Sequence, residues 1–280
     1  MRSYQNITAS WPPLFRWLPF LVIAAFFALL LAGAVAGTAY AAQPPVTQPA
    51  AQASVGGSCQ PWAVEYPPNP RTHHYLRDID VLAPDDIWAV GEYYNENNYT
   101  ADTALAMHWD GTAWTIFPTP VIPGRPSLTG VSALAPDDVW AVGYCGGCAI
   151  SPLTMHWDGV QWTRILTPDQ PSYTEFSDVV AIAPDNVWAV GANDPSHATV
   201  AMNWDGNAWS VVPTPNGGQF SDDNRLTGIS AVSANDIWAV GYIYPKGGTP
   251  TPISMHWNGT QWTMVSTPAP GNYSRRLDAV

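Results

Sequence analysis

Three histidines recur at the same position of a repeated pattern and are the first candidates for metal chemistry. His108, His156 and His256 each stand between a methionine and a tryptophan, and Asn203 takes that place in the third repeat. A zinc ion needs about four ligands at roughly 2 Å, so the imidazoles would have to converge on one point. Because each histidine belongs to a different repeat, we expect them to lie too far apart and to make structural hydrogen bonds. The sequence predicts no metal site and no cofactor.

Paired acidic residues also recur, and two carboxyl groups on either side of a bond are the machinery of glycoside hydrolysis. The pairs directly precede each I/V-W-A-V-G run, at Asp85-Asp86, Asp137-Asp138, Asp185-Asn186 and Asn235-Asp236. Asparagine replaces an acid in two of these pairs, and both residue types favour tight turns. We therefore interpret the pairs as turn residues, and the sequence predicts no catalytic residue.

The third candidate chemistry is the C-x-x-C motif formed by Cys145 and Cys148, with two glycines between them. Zinc would require further ligands, and no second cysteine pair exists because Cys59 is the only other cysteine. In an exported chain such a motif is more often a local disulfide than a redox centre, and glycines permit the necessary turn. We expect a Cys145–Cys148 disulfide, with Cys59 either free or paired elsewhere.

These motifs belong to a repeat that dominates the chain. Thirteen of the 15 tryptophans fit one template, and its first position holds Trp88, Trp140, Trp188 and Trp238, at spacings of 52, 48 and 50 residues. The second and third positions pair up as Trp109 with Trp114, Trp157 with Trp162, Trp204 with Trp209, and Trp257 with Trp262. A period near 50 residues built from short apolar runs is typical of a β-propeller or a related β array.

Each repeat divides into four short strands, which in the second repeat we place at about residues 128–134, 139–144, 153–157 and 162–166. The I/V-W-A-V-G run is apolar on both strand faces, so both faces must be covered. Sheets stacked face to face around an axis provide that cover. The sequence therefore predicts an all-β protein, a β-propeller of four-stranded blades with complete units at residues 71–120, 121–168, 169–215 and 216–268.

Two further segments look like single strands of incomplete repeats. Residues 62–70 match the last strand of a unit, and residues 276–280 match the first strand of a fifth unit spanning 269–280. Four complete units with two orphan strands do not make a closed ring. We therefore expect the chain, whose propeller region is residues 59–280, to be a truncated propeller of five to seven or more blades. An open array is the alternative, although open sheet edges invite aggregation.

At W-A-V-G and H-W-D-G-x-x-W the chain resembles exported bacterial repeats of the kelch-like and Asp-box (BNR, sialidase-type) propellers, which include photosystem-assembly propellers. The resemblance covers residues 60–280. It departs from the Asp box S-x-D-x-G-x-x-W, since Trp109 and Asp110 directly precede Gly111. The resemblance implies the propeller fold and gives little indication of an activity, because one fold hosts many functions.

The N-terminal residues read as a targeting segment. Arg2 and Arg16 supply positive charge, residues 18–36 form an apolar run, and Ala39-Tyr40-Ala41 matches a cleavage site. We interpret residues 1–41 as a signal peptide, or as an N-terminal anchor if uncleaved, and residues 42–58 as a disordered linker rich in Pro, Ala and Gln. The protein is therefore expected to be secreted or held at the cell surface. A net charge of −12 argues against nucleic-acid and membrane-surface partners.

Two connections vary between repeats: the one from strand two to strand three, such as residues 92–103, and the one from strand four to the next repeat. Both emerge on the same face of a propeller, and loops on a rigid scaffold often carry binding sites. Tyrosine faces can cover sugar C–H surfaces, while amides and carboxylates bind hydroxyls. The candidate ligand-binding residues are Tyr93, Tyr94, Glu96, Tyr99, Asp102, Arg125, Tyr144, Tyr173, Asp194, Asp222, Arg225, Tyr242 and Tyr244.

The sequence favours a non-enzymatic exported binding module for a glycan or a protein, although ordinary polar loops would look similar. A sialidase-like hydrolase is the second hypothesis. It would need an arginine cluster, and Arg77, Arg125, Arg225 and Arg276 lie near the variable ends of first strands on separate blades. The third hypothesis is a structural or assembly module of a larger surface protein.

Overall fold

The computed structural model describes residues 73–95, 98–148, 152–170, 173–218, 222–268 and 275–280. These residues form four antiparallel sheets of four strands each, and within each sheet the strands lie in chain order. The predicted all-β propeller of four-stranded blades is confirmed at this level. The leader, the linker and the strand expected at residues 62–70 lie outside the described residues.

The first two blades lie between residues 73 and 164. The first blade comprises β1 (His73–Ala83), β2 (Asp86–Asn95), β3 (Asn98–Trp109) and β4 (Trp114–Phe117). The second comprises β5 (Arg125–Ala135), β6 (Asp138–Gly146), β7 (Leu153–Trp157) and β8 (Trp162–Arg164). Compared with our prediction for the second repeat, the first two strands are longer and the last strand is shorter.

The other two blades follow the same plan. The third comprises β9 (Thr174–Ala183), β10 (Asn186–Asn193), β11 (Ala198–Trp204) and β12 (Trp209–Val211). A 3-10 turn at Asp194–Ser196 joins its second and third strands. The fourth comprises β13 (Asp223–Ser233), β14 (Asp236–Tyr244), β15 (Thr251–Trp257) and β16 (Trp262–Val265). Within the described part of the chain, no helix is long and apolar enough to cross a membrane.

Tryptophan rings fill the space between neighbouring blades. The ring of Trp88 in the first blade lies 5.2 Å from that of Trp157 and 5.3 Å from that of Trp162 in the second, and Trp88 is 2% exposed. The Trp157 ring is tilted relative to the Trp88 ring, and the Trp162 ring is edge-on to it. Both geometries are favoured by the quadrupoles of aromatic rings. The same contacts recur at the next two seams, formed by Trp140 with Trp204 and Trp209, and by Trp188 with Trp257 and Trp262.

The glycine of each W-A-V-G run is required by the close approach of the first strand. Opposite Gly143 the first strand carries a β-bulge, between Leu128 and Gly130. A Cβ on Gly143 would overlap the backbone carbonyl oxygen of Ser127, and only glycine avoids that overlap. The other three blades repeat this overlap at Gly91, Gly191 and Gly241.

The first strands of successive blades are joined through side chains. Asp78 and Asp80 of β1 accept hydrogen bonds from the backbone N–H groups of Val131 and Ala133 on β5, at 2.8 and 2.6 Å. Asp178 of β9 makes the same kind of contact with β13 at 2.8 Å. The first strands are therefore linked across the first and third described seams by carboxylates that satisfy backbone donors.

Burial raises the pKa of one of these carboxylates, that of Asp178. The pKa of Asp178 is raised to about 6, chiefly because the carboxyl group is removed from solvent; the hydrogen bonds from Ile229 and Val179 oppose this shift, and the negative charges of Asp78 and Asp80 add to it. The charge of Asp178 therefore changes in a mildly acidic medium.

Residues 275–280 lie beside β13, where we predicted the first strand of a fifth repeat. The Thr227 hydroxyl donates to the Leu277 carbonyl oxygen at 2.5 Å, as Thr129 one seam earlier donates to the Phe176 carbonyl oxygen at 2.8 Å. A Cβ on Gly228 would lie 3.0 Å from the Ala279 Cα atom. The segment thus occupies the position of a following first strand, but it is not paired as a strand within the described residues.

We predict that Gly143→Ala destabilises the protein by about 1–3 kcal/mol, the usual range for overpacking, because the new methyl group must displace the β5 backbone. Gly146→Ala on the same strand is the matched control, since its Cβ would meet its nearest neighbour at 3.6 Å. That control should change stability by no more than about 0.5 kcal/mol. Thermal unfolding of both variants tests the prediction, and equal midpoints would contradict it.

We also predict that Asp178 titrates near pH 6 in the folded protein, which carboxyl-carbon NMR can measure. Its folded pKa of about 6 lies above the ordinary value of 3.8, so the folded state holds the proton more tightly. The stability that this group contributes is therefore fully present below about pH 4 and is lost as the pH rises through 6. Asp178→Asn should remove this part of the pH dependence of thermal unfolding, and a folded-state midpoint near 4 would show the shift to be absent.

Candidate functional site

The second residue of each acidic pair is bound inside its own blade. Asp138 Oδ1 accepts a hydrogen bond from Trp140 Nε1 at 3.1 Å and lies 2.9 Å from His156 Nε2. The same aspartate–histidine contact occurs at 2.8 Å in the first and fourth blades, between Asp86 and His108 and between Asp236 and His256. Each histidine therefore lies beside its own aspartate. Among the described side chains, no group of three or more His, Cys, Asp or Glu is placed to hold a metal ion.

The third blade keeps this geometry with two neutral residues. Asn203 Nδ2 donates to Asn186 Oδ1 at 2.9 Å, and Trp188 Nε1 donates to the same oxygen at 2.9 Å. Histidine and aspartate are thus replaced together, and the oxygen that accepts from tryptophan is kept. Our interpretation of the acids as turn residues missed this hydrogen bond, although the joint replacement at the two positions is visible in the sequence.

The two repeated turns lie against each other. Asp110 Oδ1 accepts hydrogen bonds from the N–H groups of Thr112 and Ala113, both at 2.8 Å, and from the Thr112 hydroxyl. These bonds lower the pKa of Asp110 to about 2. Gly111 packs on Asp85, with the new Cβ of an alanine there lying 2.8 Å from the Asp85 Cβ. We call this end the repeated-turn face, and its acids are Asp85, Asp86, Asp110, Asp137, Asp138, Asp158, Asp185, Asp205 and Asp236.

The variable connections emerge at the opposite end, which we call the variable face. The prediction of a loop over residues 92–103 is wrong, because β2 continues to Asn95 and β3 begins at Asn98. Tyrosine and threonine are abundant in this segment and favour strands, so the hairpin extends beyond the body of the blade. The second strand of the second blade also runs past its predicted end, to Gly146, and the second strands of the third and fourth blades end at Asn193 and Tyr244.

A cleft of about 490 Å³ opens on the variable face between the first and second blades. We call it the Tyr144 cleft, and its lining residues are Tyr75, Arg77, Glu92, Arg125, Pro126, Ser127, Tyr144 and Gly146. The structure thus brings together two predicted candidates, Arg125 and Tyr144. Three lining residues were not predicted to bind a ligand, because they stand in or beside regular strands: Tyr75, Glu92 and Ser127.

The polar side chains of the Tyr144 cleft hold one another in place. Arg77 Nε lies 3.2 and 3.1 Å from the two Glu92 carboxylate oxygens, and an Nη atom lies 2.5 Å from one of them. The Ser127 hydroxyl donates to Glu92 at 2.7 Å. The guanidinium also lies over the Tyr75 ring, 5.4 Å from its centre. The hydrogen bonds to Glu92 raise the pKa of Arg77.

A second polar region lies on the variable face between the third and fourth blades. Arg225 is bound to Asp194 and lies 3.6 Å from a Glu175 carboxylate oxygen. Burial raises the pKa of Glu175, and the neighbouring charge of Asp194 raises it further, while Arg225 opposes the shift. His197 lies 2.8 Å from Asp223, and two pockets of about 360 and 420 Å³ adjoin His197. Asp194 and Arg225 were predicted candidates, and Tyr244 lines the smaller pocket.

The remaining predicted residues are spread along the variable face. Tyr173 is 66% exposed and has a left-handed backbone, with φ at 65°. Asp222 is buried and accepts a hydrogen bond from the Lys246 N–H at 3.3 Å, which is a structural contact. The ring of Tyr242 lies 4.6 Å beneath the Arg276 guanidinium. Tyr93 is half-buried on β2; Tyr94, Tyr99 and Asp102 are placed on strands by their backbone alone, and Glu96 lies outside the described residues.

The four arginines considered for a hydrolase are not gathered at one point. Arg77 and Arg125 share the Tyr144 cleft, whereas Arg225 pairs with acids of the third blade and Arg276 stacks on Tyr242. A disulfide joins Cys145 and Cys148, whose Cα atoms lie 5.4 Å apart. It closes the connection that follows β6, next to Gly146 of the Tyr144 cleft. Cys59 lies outside the described residues.

Comparison with known proteins finds similarity in structure alone. No protein-family model matches the chain, and no curated protein matches its sequence. The structure is similar to YCF48 from Cyanidioschyzon merolae, with 18% identity and a TM-score of 0.45 over 76% of this chain and 61% of that one. A YCF48 bound to D1 peptide has 15% identity and a TM-score of 0.45, over 70% of this chain and 55% of that one.

A fungal lectin from Aleuria aurantia, described as a six-bladed β-propeller with a fucose recognition mode, is also similar. It shares 16% identity with a TM-score of 0.44, over 69% of this chain and 61% of the lectin. The chain thus spans between half and two thirds of the length of these structures. The architecture is that of a β-propeller, and the kelch-like and Asp-box subclasses stay predictions.

We predict that Asp138→Ala destabilises the protein by about 1–3 kcal/mol, because Trp140 and His156 lose their shared acceptor inside the blade. The double replacement Asp138→Asn with His156→Asn should lie within about 1 kcal/mol of the parent, since the third blade already uses that pair. Denaturant unfolding of the two variants provides the measurement. A double variant as unstable as Asp138→Ala would mean that the acid itself, and not its acceptor oxygen, is needed.

Proposed function

We propose that the chain is an exported, non-enzymatic binding module that takes a glycan or protein ligand on its variable face. The Tyr144 cleft is the observation that carries the proposal. It combines two tyrosine rings with two guanidinium groups, a carboxylate and a hydroxyl in a concave site at the seam of two blades. Concave sites with a few fixed polar groups are where proteins commonly bind ligands.

The cleft is preorganised by the protein itself. Glu92 is fixed by Arg77 from one side and by Ser127 of the next blade from the other. A side chain that is already ordered loses little conformational freedom when a ligand arrives, and that loss is a main cost of binding. The cleft can therefore present donors and acceptors in a fixed pattern beside the flat faces of Tyr75 and Tyr144.

The positions of the recurring acids and histidines favour binding over catalysis. Asp86, Asp138 and Asp236 are each engaged by a histidine within a blade, on the face opposite to the cleft. Among the described lining residues of the cleft, Glu92 is the carboxylate, and it is bound to Arg77. Glycoside hydrolysis generally needs two carboxyl groups on either side of the scissile bond. This arrangement supports a ligand that is held and not cleaved.

The test is a binding screen of the purified exported chain against glycan and peptide arrays, which covers both ligand classes. We predict that Tyr144→Ala weakens binding of the selected ligand by about 10-fold or more, the effect of roughly 1.4 kcal/mol. Tyr173→Ala is the matched control, because Tyr173 is an exposed tyrosine on the same face that does not line the Tyr144 cleft.

Both variants should keep the thermal midpoint of the parent, so that a lost interaction is not confused with unfolding. Unchanged binding by Tyr144→Ala would place the ligand elsewhere on the protein. An array on which the parent chain binds nothing would remove the proposal, and release of sugar from a bound glycan would replace it with the hydrolase hypothesis.

A further inference from the structure

We propose that the variable face carries a second ligand site, at the seam of the third and fourth blades, where the imidazole of His197 binds a neutral sugar unit of a glycan. Three features meet there: a left-handed backbone, an imidazole held in one orientation and two adjoining pockets. The described lining of these pockets shares no residue with the Tyr144 cleft. The two sites can therefore be tested separately.

The backbone of His197 is left-handed, with φ at 53° and ψ at 32°. Tyr173 is the one other non-glycine residue of the described chain with a positive φ. This conformation is uncommon for a residue that has a side chain, so the surrounding contacts must hold it in place. Backbone outliers of this kind cluster at active sites and ligand clamps. The conformation thus marks His197 as a candidate ligand residue.

Contacts on both sides of the seam hold the His197 backbone. The backbone N–H and the side-chain Nδ2 of Asn224 donate to the His197 carbonyl oxygen, at 3.2 and 3.0 Å. Asn224 is 3% exposed, and its Oδ1 accepts a hydrogen bond from the Gly217 N–H at 2.9 Å. From the third blade, the Asp194 carbonyl oxygen accepts a hydrogen bond from the His197 N–H at 3.2 Å. The position of His197 is therefore set before any ligand arrives.

The imidazole ring is held as well. His197 Nδ1 lies 2.8 Å from a carboxylate oxygen of Asp223, at the start of β13. Because a carboxylate only accepts hydrogen bonds, the neutral imidazole carries its proton on Nδ1 and has its lone pair on Nε2. The side chain is 43% exposed, and the described residues provide no hydrogen bond to Nε2. Nε2 can therefore accept a hydrogen bond from a ligand hydroxyl group.

Two pockets meet at His197. The first has a volume of about 360 Å³ and is also lined by Asp223 and Tyr244. The second has a volume of about 420 Å³ and is also lined by Ser196 and Asn216. Pockets of a few hundred cubic ångströms are of the size that takes small ligands. A ligand of two linked units can therefore place one unit in each pocket, with the imidazole between them.

The groups around these pockets favour a neutral sugar. A neutral Nε2 is an acceptor, so it pairs with a hydroxyl group and not with a carboxylate oxygen. The Ser196 hydroxyl and the Asn216 amide are further neutral polar groups beside it. Tyr244 is 43% exposed and offers a ring face to the C–H surface of a sugar. A sugar ring presents several hydroxyl groups close together and an apolar face, and it matches this combination.

The experiment is an NMR titration of the purified exported chain with four neutral disaccharides: maltose, cellobiose, lactose and mannobiose. The imidazole nitrogen signals of His197 are assigned by their loss in His197→Asn. We expect at least one disaccharide to move the Nε2 signal in a saturable way, because Nε2 accepts the ligand hydroxyl. Neutral peptides that contain serine and glycine are titrated in parallel.

Two matched variants connect binding to the imidazole. Asparagine tolerates a left-handed backbone, so His197→Asn keeps the fold and removes Nε2. This variant should bind the selected disaccharide about 5-fold more weakly, the effect of one neutral hydrogen bond. Tyr173→Asn makes the same replacement at the other left-handed position, which lines neither pocket, and should bind as the parent does. Both variants should keep the parent's thermal midpoint.

The outcomes distinguish this site from the Tyr144 cleft. If no disaccharide moves the His197 signals, or if His197→Asn binds as tightly as the parent, the second site is overturned and the Tyr144 cleft is unaffected. Movement of the His197 signals by peptides alone would also overturn it, in favour of a peptide ligand. Movement by a disaccharide that persists in Tyr144→Ala would support the second site, even if the Tyr144 cleft binds nothing.

Discussion

The packing of one tryptophan ring against two rings of the next blade is the contact on which the rest of the structure depends. Each blade is apolar on both faces and cannot bury either face alone, so it is stable only between neighbours. A buried tryptophan removes on the order of 150–250 Å² from water, and three such contacts recur at the described seams. Because the ring contacts set the distance between blades, they also set where the variable ends of the blades meet.

The local requirements of the repeat follow from this close packing. Glycine after W-A-V is needed because the bulged first strand passes directly over it. In the second, third and fourth blades the carboxylate or amide before I/V-W accepts from the tryptophan indole and contacts the neighbouring histidine or asparagine, which holds the ring in its orientation. Residues that resemble catalytic acids and metal ligands in the sequence are therefore used by the scaffold.

The seams that the tryptophans create are also where chemically distinct sites arise. The seam of the first and second blades gathers two arginines and two tyrosines, while that of the third and fourth gathers an arginine bound by two acids beside a histidine–aspartate pair. The seams therefore share one backbone geometry but differ in the charge of their side chains. The reason is that residues at the variable ends of the blades do not have to match the repeat. A propeller built this way can acquire a binding site at a seam without altering its core.

The sequence by itself determined the repeat, its period and the four strands of each blade, because these follow from apolar runs and turn residues a few positions apart. It also indicated the variable face and two members of the cleft, Arg125 and Tyr144. Only the tertiary structure decided that Glu92 and Ser127, which are 35 residues apart, share a hydrogen bond, and that the segment after Glu92 is a hairpin. The physical reason is that contacts across a seam depend on how two blades pack, and no local pattern in the chain encodes that distance.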